Sequence, residues 1–112
     1  MKSEGSYFGN GVESLDAIIG RYVWSNAGRD KDRLFIIIGI FDDAHVCIAD
    51  GELRPIGRPK KKKLRHLKIT NRVAEEISFA IQNRKKFTDA DLRKAIQNYS
   101  EEFAINTVSG EG

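Results

Sequence analysis

The chain has 112 residues, 40% of them hydrophobic and 31% charged, which suits a single small domain with a modest core. No run approaches the ~18 consecutive apolar residues of a membrane span, the N-terminal residues lack the apolar segment of a secretory signal, and Cys47 alone permits no internal disulfide and no cysteine-based zinc site. The expected setting is the cytoplasm, with no membrane attachment.

The net charge of +3 conceals a segregation. Residues 1–53 carry five Lys/Arg against nine Asp/Glu, and residues 73–112 carry five against seven. Residues 54–72 carry nine Lys/Arg and no acid: Arg54, Arg58, Lys60, Lys61, Lys62, Lys63, Arg65, Lys68 and Arg72. One basic block between two mildly acidic segments points to a polyanionic partner more strongly than net charge does.

Along the chain, residues 1–17 are glycine- and serine-rich and weakly patterned, and read as a flexible leader; residues 14–19 form either a helical turn or a direct lead-in to the first strand. Tyr22-Val23-Trp24 and Phe35-Ile36-Ile37-Ile38 have the aromatic and β-branched character of strands, over residues 19–25 and 33–41. Asn26, Gly28, Asp30 and Asp32 supply the turn chemistry between them. Residues 41–45, Phe-Asp-Asp-Ala-His, read as a tight turn, with a third strand at 46–49 and a hairpin signal at Asp50-Gly51. A short fourth strand is expected at 53–56, and the tetralysine 60–63 as a charged loop or the first residues of a strand. A closing strand follows over 64–69. Five short strands at this spacing predict a small barrel over residues 18–70, which removes exposed edges by closing them.

After Asn71 the apolar period lengthens to that of a helix. Val73, Ile77 and Ile81 form one stripe, with Thr70 or Asn71 as N-cap. Thr88 with Asp91 resembles a capping box opening a second helix, continued by Leu92, Ile96, Tyr99 and Phe103. The helical pair is expected over 71–104, followed by a frayed tail over 105–112. Its apolar residues, Phe79, Phe87, Tyr99 and Phe103, exceed what one stripe needs. That excess serves docking on the barrel, a partner protein or a homodimer.

The stretch Gly20-Arg21-Tyr22-Val23-Trp24-Ser25, then Ala27-Gly28-Arg29-Asp30-Lys31, then Arg33-Leu34-Phe35-Ile36-Ile37, resembles a KOW motif. Its continuation, residues 48–54 and then 59–67, is similar to the small bacterial KOW-domain RNA-binding proteins and to the KOW-containing large-subunit ribosomal proteins. The resemblance covers about half the chain. It implies a mainly β fold, a five-stranded SH3-like barrel to which the two helices are added, and binding of RNA, ribosomal RNA in particular. Some KOW domains of transcription factors bind protein instead, so a module of the transcription or translation machinery is the alternative. Asp32 departs from the pattern, since many relatives carry a second loop glycine there.

The expected RNA-binding residues are Arg58, Lys60, Lys61, Lys62, Lys63, Arg65 and Lys68 from the basic block, as phosphate contacts. Arg21, Arg29, Lys31 and Arg33 extend them from the hairpin, unless Asp30 and Asp32 pair with their loop neighbours. Of Tyr22, Trp24 and Phe35, at least two are needed as core, leaving Trp24 as the expected base-stacking platform. Asp42-Asp43 reads as turn chemistry and Cys47 as a small buried hydrophobe. No Walker-type loop, GxSxG or HExxH occurs; the chain is expected to be no enzyme and to need neither metal nor cofactor.

Overall fold

A computed structural model describes the backbone of residues 17–111 and the side chains of residues 17–102. Five antiparallel strands are followed by two helices: β1 (Arg21–Ser25), β2 (Leu34–Ile40), β3 (His45–Ala49), β4 (Lys60–Lys63), β5 (Leu67–Val73), α1 (Glu75–Gln82) and α2 (Asp89–Glu111). A single 3₁₀ turn, Leu64–His66, joins β4 to β5. The expected mainly β fold with C-terminal helices is therefore what the chain adopts. The leader, residues 1–16, lies outside the described residues. The backbone stays helical to Glu111, beyond the expected helix end near residue 104, and the side chain of Phe103 lies outside the described residues.

The strand order β4-β3-β2-β1-β5 places the two edge strands consecutively in sequence. A flat sheet of that order would separate them by about 19 Å, four spacings of ~4.8 Å. The connection is one 3₁₀ turn of three residues, which rises only about 6 Å. The sheet must therefore curl until its edges approach. The turn is tied at both ends: Leu64 N–H donates to the Ala44 carbonyl (2.9 Å) beside β3, and Asn26 N–H at the end of β1 donates to the His66 carbonyl (2.9 Å). The result is an SH3-like barrel left open between β4 and β5, rather than one closed by a ladder. An edge strand of four lysines also resists pairing with another chain.

Curling encloses the inner face of the sheet, and the helices cover the outer face of β1 and β2, which explains the unbroken apolar run of β2. Val23, Phe35, Ile37, Val46, Ile48 and Leu67 fill the inside. Tyr22, Leu34, Ile36 and Ala49 face outward, against Ala74 and Ile77 of the α1 end and Leu92 and Tyr99 of α2. Tyr22 and Tyr99 stack with centroids 4.4 Å apart and planes 14° from parallel, and the Tyr22 hydroxyl donates to the Ala95 carbonyl at 3.2 Å. Burial raises the Tyr22 pKa above its ordinary value. The capping box opens α2 as expected: Thr88 N–H donates to Asp91 Oδ2 (2.9 Å) and Asp91 N–H to Thr88 Oγ1 (3.1 Å). Gly51, at φ +80°, lets the β3–β4 connection pass under this helix end, where any Cβ would overlap the Asp89 carbonyl.

Two boundaries differ from expectation. Residues 53–56 form no strand, and Leu53 is exposed. The tetralysine is the fourth strand, because its inward positions need only cover the inner core with aliphatic stems. The N-cap of α1 is Ala74, without a side-chain hydrogen bond, and residues 70–73 belong to β5. Thr70 has other work. The β1–β5 register slips between Arg21 and Val23, and the Thr70 hydroxyl donates to the Tyr22 carbonyl at that slip, at 2.7 Å.

Candidate nucleic-acid interface

Strand alternation divides the tetralysine into two functional pairs. Lys62 and Lys60 stand opposite Val46 and Ile48 of the inner core. Lys61 and Lys63 stand opposite Cys47 and His45 on the outer face, and both are exposed. Lys62 is buried, and its ammonium donates to the Ala27 carbonyl at 2.9 Å. It thus clamps the β1–β2 loop onto β4 and is a positioning residue rather than a surface cation. Gly28 lies directly under it: a Cβ there would come 3.3 Å from Lys62 Nζ.

This contact brings the hairpin loop and the lysine strand together. Within the loop, Asp30 turns inward, with its side chain 3% exposed, and accepts from Arg54 at 3.1 Å. Asp30 therefore does not neutralise its neighbours. Arg29 and Lys31 stay exposed, with no ion pair among the described residues. Asp32 takes φ +70°, the left-handed conformation that glycine adopts most readily. The short polar side chain of aspartate tolerates it, so the loop keeps the glycine-type path.

The other candidates fall into three groups. Arg58, Arg65 and Lys68 are exposed and make no ion pair among the described residues; Arg65 sits in the 3₁₀ turn, and Lys68 stands opposite Trp24 across β1 and β5. Arg33 is part-committed to buried Asp50, at 3.3 Å. Arg21 lies at the far end of β1 from the loop, and its guanidinium donates to the Thr70 carbonyl at 3.2 Å. Two further members of the basic block serve the fold, besides Lys62: Arg54 through Asp30, and Arg72 through Glu102 and the face of Tyr99 (5.7 Å), which pins α2 to β5. Trp24 is partly buried, packed on the helix-side core, and lines a groove with Arg33, Arg93 and Gln97. Tyr22 and Phe35 are core.

Sequence reasoning overlooked Phe41. It follows β2, is 58% exposed, and has Lys61 Nζ 4.4 Å above its ring. The signal was there: an aromatic residue inside an expected turn has no core to enter. The turn beneath it is well built. Asp42 accepts from Ala44 N–H and meets His45 Nδ1, both at 2.9 Å, and these hydrogen bonds hold its carboxyl below the usual range. Cys47 is half-buried on the outer face rather than in the core. Among the described residues no three His, Cys, Asp or Glu side chains converge as a metal site, and no helix is long and apolar enough to cross a membrane.

What remains exposed among the expected contacts and free of ion pairs among the described residues is a set of cations: Arg29 and Lys31 on the loop, Arg58 ahead of β4, Lys61 and Lys63 on β4, Arg65 on the turn and Lys68 on β5. No family model matches the chain. It is similar to a curated protein of Bacillus subtilis (strain 168), "Putative ribosome-binding protein YbzG", with 33% identity over 72 residues. The match covers 97% of that protein and 64% of this chain.

Proposed function

From the premise that this chain belongs to the family of Bacillus subtilis YbzG, we propose that it binds the ribosome by gripping structured ribosomal RNA, as a non-enzymatic KOW-type domain of the cytoplasm. The observation that carries the reading is the Lys62–Ala27 clamp. It fixes the Gly28 loop beside β4, which brings the loop that carries Arg29 and Lys31 next to the strand that carries Lys61 and Lys63, while Asp30 and Asp50 are turned inward onto arginines. Exposed lysines and arginines suit the phosphate backbone. A-form RNA is recognised largely by shape and by phosphate and 2′-hydroxyl contacts, which needs no base-reading element.

The experiment is sedimentation of the protein with purified ribosomes. Wild type is expected to co-sediment at moderate salt, and the Lys61→Ser/Lys63→Ser variant to stay in the supernatant. Nuclease treatment of the ribosomes separates this reading from a protein-interaction module. Retention on the RNA-stripped ribosomal proteins, with the lysine variant behaving as wild type, would overturn it.

A further inference from the structure

The outer face of β3 and β4 carries a feature that phosphate binding alone does not use. Phe41 projects from the end of β2 with its ring solvent-exposed. His45 meets it edge-on, with centroids 6.4 Å apart, and Lys61 lies over its face. A cleft of about 470 Å³ continues from His45 past Lys63 to Arg65. We infer that Phe41 is a stacking platform for an unpaired RNA base, with Lys61, Lys63 and Arg65 receiving the flanking phosphates. This rests on the RNA-binding reading above and names the part of the RNA that this face takes.

Three observations support a nucleotide as occupant. The first is support from below: Phe41 N–H and Asp42 N–H both donate to the His45 carbonyl, at 3.0 and 3.1 Å, so the platform is fixed at a strand end. The second is charge. Three exposed cations border the ring and cleft, against Asp42, whose carboxylate is engaged by Ala44 and His45, and Asp43. The third is the lysine itself. An exposed ammonium on an aromatic face is held weakly, and a stacking base gains more than that contact loses. Lys61 is thus free to swing from the ring to the phosphate of the base that replaces it. Trp24, the aromatic residue that the sequence reading left for stacking, is packed against the helix-side core instead.

The test uses the full chain, a labelled octauridylate and an RNA duplex of about sixteen base pairs, the length one double-stranded RNA module spans, read by fluorescence anisotropy at equal salt. Phe41→Ala is expected to weaken octauridylate binding about tenfold and to leave duplex binding within about twofold. Phe41→Trp should restore the single-strand affinity. Substitution at a side chain this exposed leaves the fold intact, which a melting curve checks. Unchanged octauridylate affinity in Phe41→Ala, with wild type binding both RNAs, would overturn the stacking site alone and leave Phe41 to a protein neighbour. Binding of neither RNA by wild type at about 50 mM salt, where phosphate contacts are strong, would overturn the proposed function with it.

Discussion

Lys62 and its neighbours on β4 are chemically identical in sequence and opposite in role, and substitution separates them. Lys62→Ser removes a charge-assisted hydrogen bond to the Ala27 carbonyl, of about 1.5–3 kcal/mol. It also uncovers a buried stem, at about 0.8 kcal/mol for each buried methylene. Against this, the variant no longer has to desolvate an ammonium on folding, and Ala27 O keeps the Ser25 hydroxyl as a donor at 3.1 Å. The balance is a loss of about 2–3 kcal/mol, a fall in Tm of roughly 10–20 °C for a domain of this size. Lys62→Met keeps the stem and also removes the desolvated charge, so it should cost about 1 kcal/mol or less. Lys61→Ser and Lys63→Ser, at exposed positions, should change stability by no more than about 0.5 kcal/mol. Urea titration followed by circular dichroism measures all four. Equal midpoints for Lys62→Ser and Lys61→Ser would refute the clamp, and with it the argument that loop and strand are held as one surface.

The Gly51→Ala variant combines a left-handed backbone with an overlap onto the Asp89 carbonyl; it should lose about 2–4 kcal/mol, with α2 exchanging its amide protons before the sheet does. Conversely, Asp32→Gly relieves a positive φ without removing any described hydrogen bond, so its urea midpoint should match or exceed wild type, by up to about 1 kcal/mol. The Tyr22 phenol should ionise above its ordinary range in a 295 nm titration, since burial raises its pKa. The sign follows from linkage: the folded state holds this proton more tightly than the unfolded chain, so the contribution is complete below about pH 10, the unfolded value, and is lost as pH rises through the folded one. Tyr22→Phe should remove that alkaline loss.

Much of the fold was legible because local chemistry and tertiary packing agree there. Tyr22-Val23-Trp24 and Phe35-Ile36-Ile37 are strand formers buried on both sheet faces, and Thr88 with Asp91 caps the helix that follows. The fourth strand was hidden because lysine has little strand preference and the ladder to β3 overrides it. The start of α1 was hidden because Thr70 and Asn71 look like N-caps, whereas the Thr70 hydroxyl donates to the Tyr22 carbonyl where the β1–β5 register slips. Within the site, composition located the cations but could not rank them. That Lys62 and Arg54 serve the fold while Arg29 and Lys31 stay exposed depends on which way Asp30 turns, and that is decided by Arg54, which lies twenty-four residues away. Likewise, choosing between Trp24 and Phe41 requires knowing which sheet face the helices cover.

The central claim is that the cations around the Gly28 loop act together on RNA phosphates, and salt dependence tests it most directly. Affinity for a ribosomal RNA fragment, measured between about 50 and 200 mM salt, should fall with a log–log slope of about −3.5 to −4.5 if roughly five phosphates are contacted. The Lys61→Ser/Lys63→Ser variant should bind more weakly, with a slope shallower by about 1.4–1.8. A wild-type slope near zero, or one that the double substitution leaves unchanged, would contradict the account.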